Sequence, residues 1–93
     1  MQAELLLDER RVLSESSFAE LVVWRLPAPV RGSAHRLRYR LALVADGECV
    51  LRYDNEAGKG DHRHVGGKEE RYRFKSAEQL LADFWADVDK WGR

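Results

Sequence analysis

Apolar and polar positions alternate with a period of two along much of the first half of the chain. The clearest run is residues 36–45, where Leu37, Tyr39, Leu41 and Leu43 alternate with Arg36, Arg38, Arg40 and Ala42. Successive side chains of a strand point to opposite faces, so this run predicts an apolar face and an arginine face. Asp46-Gly47 signals a hairpin, with 49–54 as the return strand. A three-residue loop, Asp46-Gly47-Glu48, sets Leu43 opposite Leu51, Leu41 opposite Tyr53, Arg40 opposite Asp54 and Arg38 opposite Glu56. A strict two-residue loop would set Leu41 opposite Arg52 and mix the faces, so the longer loop is expected. Residues 18–26, rich in aromatic and β-branched side chains, read as a strand that Pro27-Ala28-Pro29 ends. Residues 3–13 and 70–74 are read as further strands. The glycine-bearing stretch 54–67 is read as a loop.

After Ser76 the period becomes helical. Ala77, Leu80, Leu81, Phe84, Trp85, Val88 and Trp91 form one stripe, and Ser76-Ala77-Glu78-Gln79 reads as a capping box in which Gln79 reaches back. The spacing predicts a helix over 76–91, stopped by Gly92. The expected fold class is α+β: a curved antiparallel β-sheet of four to five strands, with the C-terminal α-helix packed on its apolar face and the arginine face outward.

Length and composition narrow this picture. Ninety-three residues with 44% hydrophobic and 34% charged positions make a single globular domain, 1–93. No apolar run reaches the ~18 residues of a membrane span. No basic stretch precedes Leu5-Leu6-Leu7, so no signal peptide is expected. The lone Cys49 excludes an internal disulfide framework and a cysteine-built zinc site, and is expected to be a small buried hydrophobe. These features fit a cytoplasmic protein without a membrane partner. The formal charge of zero is unevenly distributed: residues 1–20 carry −3, residues 21–75 carry +5 and residues 76–93 carry −2. A basic centre between acidic ends suits a polyanion as well as a merely solubilised surface.

The candidate chemistry clusters in 59–64. His62 and His64 offer two groups able to take and give protons near neutral pH, as metal-free RNA cleavage requires. Lys59 and Arg63 are candidates to neutralise a scissile phosphate, with Asp61 beside them. Arg36, Arg38, Arg40, Arg52 and Lys68 are candidates to track an RNA backbone, and Tyr53 to stack on a base. Bland alternatives stand beside each assignment. The two histidines also fit a solvated surface or half a metal site completed by Asp61, His35 or Cys49, although no ligand spacing supports one. Arg38 and Arg40 also fit simple cross-strand pairs with Glu56 and Asp54. Trp24, Trp85 and Trp91 suit core or interface better than base stacking. The Lys59 surroundings lack the nucleotide-binding P-loop pattern. No cofactor and no metal are expected.

Two segments carry a resemblance. One runs Val23-Trp24-Arg25-Leu26-Pro27-Ala28-Pro29-Val30-Arg31-Gly32-Ser33-Ala34-His35-Arg36; the other is Tyr53-Asp54-Asn55-Glu56-Ala57-Gly58-Lys59-Gly60-Asp61-His62-Arg63-His64. Together with Tyr72-Arg73-Phe74 and the helix behind it, the chain resembles the TumE family, toxins of bacterial toxin–antitoxin pairs. The resemblance implies a growth-inhibiting protein and a cognate antitoxin encoded by the adjacent gene. Joined to the His-x-His segment and the basic strand, it leads to the expectation of a type II toxin acting on RNA as a metal-independent endoribonuclease. The rival expectation is a binding module that occupies RNA, the ribosome or a protein without breaking bonds. A third is a metal-dependent hydrolase or transferase built on Asp61, His62 and His64. The broad apolar stripe of the helix leads to the expectation that surface is left over for an antitoxin or a second copy in a homodimer.

Overall fold

The computed structural model describes residues 2–92. Six strands form one antiparallel sheet in chain order: β1 (Glu4–Ser14), β2 (Ser17–Arg25), β3 (Leu37–Ala45), β4 (Glu48–Glu56), β5 (Gly60–Val65) and β6 (Lys68–Arg71). One helix follows, α1 (Ala77–Trp91). The α+β class and the antiparallel sheet are as expected, but the strand count is six rather than four to five. The additional strand is β5, which lies within the stretch read as a loop. Its sequence, Gly-Asp-His-Arg-His-Val, has no apolar alternation to reveal it, and its glycines serve the turns at its ends. Gly66 and Gly67 take positive φ and reverse the chain directly into β6.

The β3–β4 hairpin keeps the expected register by a different device. Leu43 faces Leu51, Leu41 faces Tyr53 and Arg40 faces Asp54. However, the turn holds only Asp46 and Gly47, both at positive φ, and Ala45 pairs with Glu48. The shift is made up by a bulge, because Val44 pairs with Cys49 while Leu43 pairs with Leu51, leaving Val50 extra. Cys49 lies in this end of the hairpin and is exposed rather than buried.

The core lies on the helix side of the sheet. Ala19, Leu21 and Val23 of β2, Tyr39, Leu41 and Leu43 of β3, and Leu51 and Tyr53 of β4 meet Leu80 and Phe84 of α1. The last strand is shorter than expected because the chain leaves the sheet after Arg71. Tyr72 then packs edge-on to Tyr53, and Phe74 stacks on His35 with centroids 3.7 Å apart. Ser76 caps α1 by accepting from the Gln79 amide at 3.0 Å. The Gln79 side chain does not reach back; it turns forward to Asp83. Leu80 and Phe84 are fully buried, Leu81, Trp85 and Val88 are half-buried, and Trp91 is 46% exposed. No helix is long and apolar enough to cross a membrane among the described residues.

Candidate nucleic-acid interface

Strand alternation sorts the chemistry of the sheet onto two faces. The cross-strand pairs Trp24–Arg38, Val22–Arg40, Arg40–Asp54, Ala42–Arg52, Arg52–His64 and Asp54–His62 all lie on the face away from α1. His62 and His64 are continued onto β6 by Arg71 and Glu69. The paired imidazoles and the arginine row therefore share one uncovered surface.

The ion pairs on this face leave part of it uncompensated. The Arg40–Asp54 and Arg38–Glu56 ion pairs, the alternative to phosphate binding for these arginines, do not form among the described residues. Asp54 is taken instead by its neighbour Arg52, whose Nε stands 3.1 Å from Oδ2 without hydrogen-bond alignment, and Glu56 is taken by Lys59 at 3.7 Å. Arg38, Arg40 and Arg71 are exposed and have no hydrogen-bond or ion-pair partner among the described residues. Unpaired guanidinium groups present five donors each in a fixed fork suited to phosphate. A groove of about 350 Å³ runs between Arg38 and Arg40, with Val22 and Trp24 on one flank and Asp54 and Glu56 on the other.

The imidazoles are held but accessible. His62 Nδ1 lies 3.1 Å from the Gly60 carbonyl oxygen, which only accepts, so Nδ1 carries the hydrogen. Its Nε2 points toward Glu69 at 3.7 Å. His64 Nε2 stands between two partners, the Arg52 guanidinium at 3.0 Å and Glu69 at 3.3 Å. Arg52 can only donate, so this nitrogen accepts from Arg52 when bare and donates to Glu69 when protonated. Glu69 thus touches both rings.

The other sequence-singled residues lie elsewhere. Arg63 alternates with the histidines and so points to the helix side, where Nη1 donates to Asp87 at 3.1 Å and Nη2 pairs with Glu70. Tyr53 is buried beneath α1, donates to Asp87 at 2.5 Å and is not available to stack on a base. Burial first, and then the hydrogen bond to Asp87, raise its pKa above the ordinary tyrosine value. Lys68 lies opposite Val65, beside Arg63 and Lys90 on the helix side. Lys59 sits in the β4–β5 turn, and Arg36 sits just before β3, both exposed.

Asp61 also faces away from the histidines, so the trio Asp61, His62 and His64 does not converge. Its carboxylate accepts from Ser33 at 2.8 Å and Tyr39 at 2.6 Å. It also accepts from His35: the Leu37 amide donates to His35 Nδ1, so Nε2 carries the hydrogen and gives it to Asp61 at 2.7 Å. Burial first, and then this carboxylate, push the Tyr39 pKa upward, keeping the phenol protonated. Asn55, 2% exposed, bridges Leu37, Tyr39 and Ser33. Gly32 and Gly60, both at positive φ, pack backbone to backbone, so a Cβ on either would come within 2.9 Å of the other. Asn55, Gly58, Gly60 and Asp61 of the motif segment thus clamp loop 26–36 against the β4–β5 turn. Among the described residues, no group of three or more His, Cys, Asp or Glu side chains is arranged to hold a metal ion.

Sequence reasoning missed Glu69 and Arg71 and undervalued Trp24. Once β5 is read as a loop, nothing places β6 beside the histidines. The Gly66-Gly67 pair between two short polar runs was the available hairpin signal.

Comparison with known proteins gives one family. The family model described as toxin TumE matches residues 2–92. No curated protein and no solved structure matches.

Proposed function

The chain belongs to the TumE toxin family, and on that premise we propose that it acts on RNA through the uncovered face of its sheet, as a metal-independent endoribonuclease. The observation that carries this reading is the set of three unpaired arginines, Arg38, Arg40 and Arg71, on the same surface as His62 and His64. Among strands about 4.8 Å apart, Arg40 on β3 and His62 on β5 are separated by roughly 10 Å, a span of one to two nucleotides. One imidazole removes the proton from a ribose 2′-OH, and the oxygen attacks the adjacent phosphorus. The other protonates the departing 5′-oxygen, leaving a 2′,3′-cyclic phosphate. Arg71 stabilises the charge that builds on the phosphate, and Arg40 holds a flanking phosphate. These take the part expected of Lys59 and Arg63, the second of which is committed to Asp87 and Glu70. Growth arrest follows from loss of cellular RNA, and the antitoxin of the adjacent gene, making a type II pair, relieves it.

A second reading has its own observation. His62 and His64 each spend a nitrogen on protein partners, as structural histidines do. Under that reading the face binds RNA and inhibits by occupancy. Incubation of the purified chain with bulk RNA in EDTA separates the two. Fragments ending in 2′,3′-cyclic phosphate, lost in His62→Ala and His64→Ala, support the nuclease. Intact RNA in shifted complexes supports the binder, and neither cleavage nor binding overturns both.

A further inference from the structure

The groove on the open face has more chemistry than backbone tracking needs. Phosphate binding calls for cations, yet this groove also carries an indole and two carboxylates. Trp24 lies directly across from Arg38, and Glu56 of β4 lines the same groove from its other side. The row thus reads aromatic, cation, carboxylate across three neighbouring strands. Trp24 is half-buried although it belongs to neither the core nor any ring stack. Among the described residues, the Glu56 carboxylate is held only by its exposed 3.7 Å pair with Lys59.

We infer that this groove is a nucleotide subsite that takes one unpaired guanosine of the RNA. Its base lies against Trp24, its N1–H and N2–H edge meets the Glu56 carboxylate, and its phosphate rests on Arg38 and Arg40. The volume of about 350 Å³ suits a single nucleotide rather than a duplex. Stacking on an aromatic ring accepts any base. The carboxylate supplies the choice, because guanine alone among the four RNA bases presents two adjacent N–H donors that a carboxylate engages in bidentate fashion. Adenine offers a lone acceptor beside its amino group at the same edge, which repels the carboxylate. The Asp54 carboxylate is spent on Arg52, which leaves Glu56 as the reader. The subsite spans β2 to β4, beside β5, so the guanosine sits one or two nucleotides from the phosphate at His62 and His64.

This inference rests on the RNA-directed reading of the same face, but its test needs no cleavage. The full chain is titrated with guanosine 3′-monophosphate, adenosine 3′-monophosphate and inorganic phosphate, following the Trp24 indole resonance by NMR. A preference for the guanosine nucleotide over the adenosine nucleotide of at least about tenfold is expected, in line with one bidentate contact. Glu56→Gln is expected to bring the two nucleotides close to equal affinity. Trp24→Leu is expected to weaken both, and Arg38→Ala with Arg40→Ala to weaken both nucleotides and phosphate alike. Circular dichroism confirms that each variant folds. Equal affinity for the two nucleotides in the parent chain, or a preference that survives Glu56→Gln, overturns the subsite. Failure to cleave RNA, with the guanosine preference intact, overturns only the nuclease.

Discussion

The two faces of the sheet are cut from the same strands, yet they handle charge in opposite ways. On the helix side of the sheet, Arg63 is gripped by Asp87 and Glu70, Tyr53 and Tyr72 donate to Asp87 and Asp83, and Asp61 receives three donors beside loop 26–36. On the open side, Arg52 pairs with Asp54 and Glu69 with the histidines, but Arg38, Arg40 and Arg71 stand without partners among the described residues. The difference follows from desolvation. A charge or hydroxyl cut off from water must find a partner in the protein or cost several kcal/mol, whereas a solvated guanidinium needs none. Polar groups on the helix side therefore report on stability. Unpaired cations on the open side contribute little to folding and are free for a ligand.

This contrast predicts a hierarchy of effects. Phe84 is fully buried between sheet and helix, so Phe84→Ala is expected to cost about 3–5 kcal/mol in urea denaturation. Trp24→Ala on the open face should cost much less; an equal loss would mean that the open face is also core. Next, Asp61→Asn turns an amide donor toward Ser33, His35 and Tyr39, all three of which donate to the native carboxylate. A loss of about 2–3 kcal/mol is expected, with faster amide exchange in loop 26–36 and RNA affinity reduced only through that loop.

Alkaline pH sharpens the comparison further. Burial and carboxylate acceptors raise the pKa of Tyr39, Tyr53 and Tyr72 in the folded chain. The folded state thus holds these protons more tightly than the unfolded chain does. The associated stability is intact below the ordinary tyrosine value of about 10 and is lost as pH rises above it. Denaturation midpoints should fall from about pH 10 upward, less steeply in Tyr53→Phe. A midpoint independent of pH in that range would show that the phenols are not shielded. The smallest expected effect on folding is at the open face. Arg40→Ala should change stability by no more than about 0.5 kcal/mol. It should nevertheless lower RNA affinity and reduce the slope of log affinity against log salt by about one. An unchanged slope would remove Arg40 from the interface.

The placement of the proposed site was only partly legible. The alternation of 36–45 announces both faces, and the hairpin register follows from keeping leucines with leucines. The His-x-His pair shares a face with Arg40 and Arg52 as parity requires, given that β5 is a strand. That condition was hidden, because β5 is polar on both sides and apolar periodicity cannot detect it. The same blindness placed Arg63 and Asp61 with the histidines, although alternation turns both toward the helix side. Ion pairing was misread for a related reason. Asp54 has the expected cross-strand neighbour in Arg40, but nearer cations on their own segment, Arg52 and Lys59, captured Asp54 and Glu56.

By itself the sequence determined what local rules govern: the α+β class, the apolar stripe of the helix, the capped start at Ser76, and the segregation of leucine from arginine along β3. These are properties of period and neighbour, which a linear chain carries in full. Only the tertiary structure decided which charges remain free, that Glu69 and Arg71 stand beside the histidines, and that Asn55, Gly58, Gly60 and Asp61 of the 53–64 motif form a clamp. Those outcomes depend on which distant side chains reach a group first, a competition in space that no spacing along the chain records.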